Sequence, residues 1–235
     1  MSDITFRSDV TVELIKSNAS DADVARAARV STVGSDSLSL NRPSEGLIKF
    51  LMRDRHGSPF EHNNFTFYIE APIFVAREFF RHRAGWSYNE ESARYKELEP
   101  VFYVPAGDRN LVQEGKPGAY EFKPGTFLQS MSATQQHREA YTTAFNAYKQ
   151  QLHAGVAREV ARNVLPVGIY TSFWATCNAR SLMHFLSLRT KRQNAQVPSF
   201  PLREIEMVAD EMELVFMDTM PMTHRAFEMA GRVAP

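Results

Sequence analysis

The sequence predicts an α+β fold, with a small antiparallel sheet and several long helices in a single domain spanning residues 1–235. Three observations lead there. Two short segments in the first third of the chain have strand character: one alternates apolar and polar residues, the other is crowded with aromatic and β-branched residues. Apolar residues recur at helical spacing through most of the remainder. No repeat, low-complexity tract or linker divides the 235 residues, a length that one large core can accommodate.

Taken in order, residues 9–16 (DVTVELIK) alternate and predict a strand. Residues 21–31 predict a helix with Ser20 or Asp21 as its cap. Over 43–55, Leu47, Ile48, Leu51 and Met52 keep helical spacing, and Pro43 suits a first turn, where its missing N–H costs little. Gly57-Ser58-Pro59 predicts a turn and NFTFYIEAP (64–72) a strand. From Pro72, PIFVAREFFRHR predicts an amphipathic helix running to the break at Gly85. Residues 104–125 read as a loop, long enough to be functional or mobile. A long helix is expected over 127–164, stopped at Pro166, and another over 169–188. After the connector NAQVPSFP, an acidic helix is expected over 202–217 and a short one over 223–229, closed by Gly231.

Lys plus Arg and Asp plus Glu both number 27, so no global field draws the chain to nucleic acid or a membrane surface. The balance hides local asymmetry. Residues 155–192 contain Arg158, Arg162, Arg180, Arg189, Lys191 and Arg192 against Glu159 alone. Residues 203–228 set Glu204, Glu206, Asp210, Glu211, Glu213, Asp218 and Glu228 against Arg203 and Arg225. A basic middle suits a small anionic ligand, or a face that pairs with the acidic segment between helices or subunits. The lone Cys177 excludes an internal disulfide and fits a reducing compartment. The N-terminal residues lack a signal-peptide pattern, and no apolar run approaches the ~20 residues that span a bilayer. A cytoplasmic protein is expected.

The densest chemistry is RHRAGWSYNEESARY, residues 81–95. In a continuing helix Arg77 and Arg81 share one face and Glu78 and His82 another. Arg81 and Arg83 would then point about 200° apart; at a helix end they would fan around a ligand. Ser92 and Arg94 supply a hydroxyl and a guanidinium, groups suited to phosphate. Glu90 and Glu91 can accept from a sugar hydroxyl or a base N–H. The mixture fits a ligand with one anionic and one polar neutral end, such as a nucleotide; a surface ion-pair cluster of the same residues is the alternative. Arg158 and Arg162 sit one helical turn apart, with Glu159 as their partner or a ligand contact. Asn178 and Arg189 stand about 16 Å apart on one helical face with Leu182 and Phe185 between them, a span suited to an extended ligand.

Other chemistries lack their patterns. G-x-G-x-x-G and the P-loop are absent. His56 and His62 flank a turn, but no common metal-ligand spacing is present, and no metal is expected. Cys177 lies among apolar neighbours and reads as a packed small residue, not a nucleophile. Ser87 and Ser92 have no evident His–acid relay.

Together these segments resemble the flavin-dependent thymidylate synthases, whose pattern RHRxxSxNExSxRY is matched here by Arg81-His82-Arg83, Ser87, Asn89, Glu90, Ser92, Arg94 and Tyr95. AREVARNVLP, NARSLMHFLSLR, GSPFEH and the ARVS at 28–31 also resemble family segments in the family's order, so the resemblance covers nearly the whole chain. Two departures stand out. Eight residues instead of the family's seven separate Arg83 from Ser92, with AGW in place of a two-residue spacer. NAQVPSFPLREI also carries extra residues before the next helix, so family contacts just after Arg189 are not carried over.

The resemblance implies reductive methylation of dUMP to dTMP. FAD reduced by NADPH would deliver a hydride to C6 of the uracil, methylenetetrahydrofolate would give the one-carbon unit, and no enzyme thiol would attack the ring. It implies Arg81, His82 and Arg83 along FAD, with Arg81 also near dUMP. Ser58 would contact the flavin and His56 stand near its ring, while Glu90, Asn178, Ala179, Arg180 and His184 complete the cofactor site. Glu78 takes a dUMP-contacting position where many members have Gln; a carboxylate there accepts but cannot donate. Glu90, Glu91, Ser92, Ala93 and Arg94 would form the dUMP loop, with Ser92 and Arg94 on the phosphate and Arg162 as a further contact. Arg189 would be the catalytic group, facing the uracil and assisting ionisation at N3. The family assembles as a homotetramer with FAD and dUMP bound where subunits meet. The implied partners are thus dUMP, folate and other copies of the chain, with no nucleic acid or membrane. Two rival readings are a nucleotide- or nucleic-acid-binding module without redox chemistry and a non-catalytic helical assembly protein. Neutral charge and the lack of an evenly basic helix weigh against the first, and residues 81–95 against the second.

Overall fold

The computed structural model describes residues 3–117 and 119–235. The first strand, β1 (Thr5–Arg7), precedes the expected one, which runs as β2 (Thr11–Ser17). α1 (Asp21–Val33) starts where Ser20 Oγ accepts from the Asp23 N–H. α2 (Glu45–Arg53) is capped by Ser44, so Pro43 lies before the helix and not in its first turn. Ser58 and Pro59 open a one-turn helix, α3 (Ser58–Glu61), where a bare turn was expected; proline at a helix start sacrifices no hydrogen bond. β3 (Asn64–Pro72) forms as its composition predicts.

α4 (Ile73–Phe79) stops short of the Arg-His-Arg triplet, correcting the longer helix expected to Gly85. The His82 N–H turns back to the Phe79 carbonyl at 3.0 Å, and Tyr88 Oη donates to the His82 carbonyl at 2.7 Å. Gly85, at φ 71°, completes the reversal into β4 (Trp86–Glu90). The faces expected to join Arg77 with Arg81 and Glu78 with His82 therefore do not exist.

After β5 (Val101–Tyr103), the expected loop contains an antiparallel hairpin of β6 (Asn110–Lys116) and β7 (Ala119–Pro124). Both strands are exposed along most of their length, so no apolar face marks them in the sequence. α5 (Phe127–His153) opens on a Thr126/Gln129 capping box and ends before Gly155 at φ 81°, well ahead of Pro166. α6 (Arg158–Ala161) and a 3-10 turn over Arg162–Val164 follow. The first half of the helix expected over 169–188 is a strand, β8 (Tyr170–Asn178). Its buried Phe173, Ala175 and Cys177 alternate with Trp174 and Thr176, the period of a strand. α7 (Ala179–Arg189) takes the second half; α8 (Arg203–Thr219) and α9 (Pro221–Met229) end the chain as expected.

The fold is α+β. β2, β3, β8 and β4 form a four-stranded sheet in that order, and β6–β7 is a separate pair. β6 and β7 pair antiparallel, whereas β1, outside the expected strands, pairs with β5 in parallel, Thr5 opposite Val101. The chain passes repeatedly between two compact units: Met1–Val10, Glu70–Glu78 and Glu90–Ser172 form one, Thr11–Ile69, Phe79–Asn89 and Phe173–Pro235 the other. No single cut in the sequence separates them, which is why no linker is visible.

In the first unit, Tyr141, Phe145 and Tyr148 of α5 pack with Leu98, Phe102, Ala161 and Ile169. In the second, Phe79 is the hub, its ring 4.6 Å from Phe185, 5.4 Å from Phe173 and 5.3 Å from Trp86. Burying each such phenylalanine contributes about 2 kcal/mol, so the residues just after α4 are anchored by a core that Phe79 itself nucleates. Among the described residues no helix is long and apolar enough to cross a membrane.

Candidate active site

Within the second unit, the turn after α4 and the start of α7 enclose a cleft of about 470 Å3. Its walls are His82, Arg83, Ala84, Gly85 and Trp86 from the turn, Asn178, Arg180, Ser181 and His184 from α7, and Glu61 from α3. Asn178 caps α7, its Oδ1 accepting from the Ser181 N–H at 2.8 Å. Ser181 Oγ then donates to the Ala84 carbonyl at 2.8 Å, tying the turn to the helix end. Gly85 is required twice over. Besides its positive φ, a Cβ there would stand 2.2 Å from Ser181 Oγ and 2.7 Å from Asn178 Nδ2. Arg180 donates through Nη1 to Glu61 at 2.7 Å and through Nε to the Pro235 carbonyl at 2.6 Å.

Arg189, the last residue of α7, donates through Nε to His82 Nε2 at 3.0 Å. Burial, then the charges of Arg189 and His184, push His82 down to about 4. At neutral pH this imidazole is uncharged, as its acceptor role requires. Cys177 is buried on β8, and burial raises its thiol well above the ordinary range, so it has no thiolate to offer.

Of the cofactor residues expected from sequence, His82, Arg83, Asn178, Arg180 and His184 line this one cleft. Ser58 follows Gly57, where a Cβ would stand 2.6 Å from Arg180 Nε, so α3 begins against the cleft wall. His56 stacks on Phe50, with ring centroids 5.5 Å apart, and is not part of the wall. Arg81 is exposed in the turn and also outside it. Ala179 is fully buried, with its N–H donated to the Asn63 carbonyl at 2.8 Å, so it supports the helix start. Ser181, Trp86 and Glu61 were missed by sequence reasoning. Ser181 would have been found three residues after a recognised Asn178 cap, had the strand–helix boundary been legible.

Of the nucleotide candidates, Arg81 and Arg189 belong to the second unit, and the first unit carries the others. Thr171 Oγ1 donates to Glu90 at 2.7 Å. Burial raises the Glu90 carboxyl; the Thr171 hydrogen bond opposes this and the charge of Glu91 adds to it. Glu91 is held by both oxygens, one accepting from the Ser172 N–H at 2.9 Å and the other paired with Lys96 at 2.8 Å. That gives Glu91 a structural task beside β8 which the sequence did not suggest. Ser92 opens a turn, its carbonyl accepting from the Tyr95 N–H at 3.0 Å and its Oγ from the Arg94 N–H at 3.3 Å. Ala93 is buried in the core beneath them. Arg94 pairs through Nε with Glu159 at 3.2 Å, so Glu159 serves Arg94, whereas the sequence pointed to Arg158 and Arg162 as its partners. Arg162 is half-buried at the start of the 3-10 turn, and Glu78 is half-buried in the last full turn of α4.

A family described as thymidylate synthase complementing protein matches residues 13–222. A flavin-dependent thymidylate synthase of Streptomyces avermitilis is 62% identical over 235 residues, covering 98% of this chain and 96% of its own. That of Streptomyces coelicolor is 60% identical over 236 residues, covering 99% and 96%. The structure of a UMP/dUMP methylase, PolB, from Streptomyces cacaoi bound with 5-Br dUMP has a TM-score of 0.94 at 53% identity, covering 99% of this chain and 100% of that one. Bound with 5-Br UMP, the same methylase has a TM-score of 0.91. Matches of this extent, with the Arg-His-Arg turn seated on the capped end of α7, establish that the chain belongs to the flavin-dependent thymidylate synthase family.

Proposed function

We propose that the protein methylates dUMP reductively to dTMP, with FAD as cofactor, NADPH as reductant and methylenetetrahydrofolate as one-carbon donor. The observation that carries this reading is the cleft between the Arg-His-Arg turn and the N-terminus of α7. Its residues suit a flavin dinucleotide. Arg83 and Arg180 bring positive charge, and the positive end of the 11-residue helix α7 adds to it, a setting for a pyrophosphate. The missing Cβ of Gly85 lets the turn seat directly on Ser181 and Asn178 at the start of α7, which brings the two walls of the cleft together. FAD, when bound, would supply the hydride for C6 of the pyrimidine.

The chain's own groups do the rest. Ser92, Arg94 and Arg162 would hold the phosphate, with Ala93, Glu90 and Glu91 shaping the loop beside it. Glu78 would accept from the nucleotide, and Arg81 would serve nucleotide and cofactor together. Arg83, Ser58, Asn178, Ala179 and His184 would hold the cofactor, with His56 near its ring. The guanidinium of Arg189 would stabilise negative charge spreading over the base. The buried, protonated thiol of Cys177 fits a route in which no enzyme sulfur attacks the ring. We further propose that residues 1–235 act as one functional domain in a cytoplasmic homotetramer, with FAD and dUMP bound where subunits meet.

Purified protein should be yellow, lose its flavin absorbance on adding NADPH, and form dTMP from dUMP and methylenetetrahydrofolate. Colourless protein that takes up no added FAD and forms no dTMP overturns the reading. A wider substrate range is favoured by one observation, the 53% identity to a methylase whose solved structure holds 5-Br UMP. UMP and dUMP assayed side by side decide it: comparable turnover establishes the wider range, and inert UMP confines the enzyme to the deoxynucleotide.

A further inference from the structure

We propose that His82 is a positioning residue for Arg189, its Nε2 lone pair fixing the guanidinium that acts on the pyrimidine. The inference rests on the function proposed above for Arg189 and adds what holds that side chain in place. Nε of Arg189 lies 3.0 Å from Nε2 of His82. A guanidinium has donors only, so this nitrogen of the imidazole must accept. A neutral imidazole has one acceptor, so the ring proton sits on Nδ1. An imidazolium would set an N–H and a second positive charge against the guanidinium, and the contact would fail.

The acceptor is itself rigid. The ring of His82 packs edge-on against Phe185, 4.8 Å between centroids. Its backbone N–H is held by the Phe79 carbonyl at 3.0 Å and its carbonyl by Tyr88 Oη at 2.7 Å. Tyr88 in turn stacks on Trp86 at 5.8 Å. Among the described residues, Arg189 and His184 bring charge to bear on the ring, and Arg83, Arg180 and Glu61 line the same cleft. α7 is thus fastened to one turn at both ends, by Ser181 Oγ to the Ala84 carbonyl at its start and by Arg189 to His82 at its finish. Because a guanidinium is planar, fixing the direction of Nε–H fixes the plane in which the two Nη groups lie. Leucine at position 82 would fill the space of the ring without accepting, whereas glutamine offers an amide oxygen.

The test combines a mutant cycle with a readout that needs no turnover. Expected losses in kcat are about tenfold or more for His82→Leu, with the KM for dUMP nearly unchanged, and His82→Gln should restore most of the rate. The double variant His82→Leu/Arg189→Ala should be no slower than Arg189→Ala alone, because His82 acts through Arg189. FAD uptake by each variant is followed by flavin absorbance, so cofactor loss is separated from misplacement. Losses that multiply in the double variant, or a His82→Gln enzyme as slow as His82→Leu, overturn the proposal. In the wild-type protein without substrate, 15N NMR should show His82 with a bare Nε2 whose resonance moves in Arg189→Ala; a protonated Nε2 overturns it. Wild-type protein that forms no dTMP would sink the proposed function, and the NMR result would still decide the His82–Arg189 contact by itself.

Discussion

Arg94 and Glu159 lie 3.2 Å apart with side chains 52% and 56% exposed, so their mutual attraction is weak, on the order of 0–1 kcal/mol. A nucleotide phosphate carries more charge than a carboxylate and can accept two parallel hydrogen bonds from a guanidinium, so at the proposed site it would displace Glu159 readily. Arg94→Ala is therefore expected to weaken dUMP binding by about 2 kcal/mol, the scale of a lost charge-assisted contact. Glu159→Gln should tighten binding by roughly threefold, since the competitor is gone. Isothermal titration with dUMP measures both; an unchanged dissociation constant in Arg94→Ala removes that residue from the phosphate site. Arg189→Ala should bind FAD at wild-type affinity yet form dTMP only at a small residual rate, and full turnover would take Arg189 out of the mechanism. At this scale the sequence was informative about residue types: clustered guanidinium, hydroxyl and carboxylate groups announce an anionic, hydrogen-bonding ligand. It was silent on pairings. That Glu159 meets Arg94, that Glu91 holds Ser172, and that Arg189 meets His82 are consequences of chain reversals, not of spacing.

Those reversals belong to whole elements, and elements were legible where burial gave them one clear period. α1, α2, α8 and α9 each bury one consistent face, and each was found; β3, with Phe65, Thr66 and Phe67 buried in succession, was found from its aromatic and β-branched composition. β8 was missed because its aromatic and small residues suit a buried helix as well as a strand, and only the alternation of Phe173, Ala175 and Cys177 distinguishes them. The end of α4 was missed because FFRHR continues a helical pattern. Hydrogen bonds from beyond it, Tyr88 to the His82 carbonyl and Ser181 to the Ala84 carbonyl, hold the chain in a turn instead. Gly85 makes that turn possible, so Gly85→Ala is the sharpest test of the element arrangement. Alanine would need φ near 71° and would place Cβ 2.2 Å from Ser181 Oγ, so the turn must lift off α7. FAD affinity is expected to fall at least tenfold, with destabilisation of about 1–2 kcal/mol. Asn178→Ala should cost about 1 kcal/mol through loss of the cap. Flavin titration and urea melts measure the two changes; wild-type FAD affinity in Gly85→Ala would show that the turn's close seating on α7 is unnecessary.

For the molecule as a whole, zero net charge conceals a stability that depends on pH. The acidic face of α8 answers the basic segment, with Arg192 paired to Asp210 at 2.8 Å and to Glu213 at 2.9 Å. Arg232, buried and in the left-handed region at φ 58°, donates to Glu213 at 2.5 Å, to Glu228, and to Thr190 Oγ1 at 2.9 Å. Burial alone would raise the Glu213 carboxyl. Hydrogen bonds from His224 and Arg232 and the charges of Arg232 and Arg192 outweigh it and hold it at about 2. A carboxyl depressed by folding stabilises the protein above its unfolded value near 4.5, and that contribution drains away as pH falls towards 2. His82, at about 4 instead of 6.5, acts in the same direction at higher pH: the unfolded chain takes up its proton first, so stability declines between 6.5 and 4. Denaturant midpoints should thus hold steady above pH 7 and fall progressively as pH drops below 6.5, first through His82 and then through Glu213. Arg232→Ala separates the two groups. Removing one partner of a buried ionic cluster is expected to destabilise by about 3–5 kcal/mol at pH 7. Once Glu213 is neutral the missing guanidinium matters less, so the deficit should be clearly smaller at pH 3 than at pH 7. A deficit equal at both pH values would mean that the acid sensitivity arises elsewhere than in this cluster.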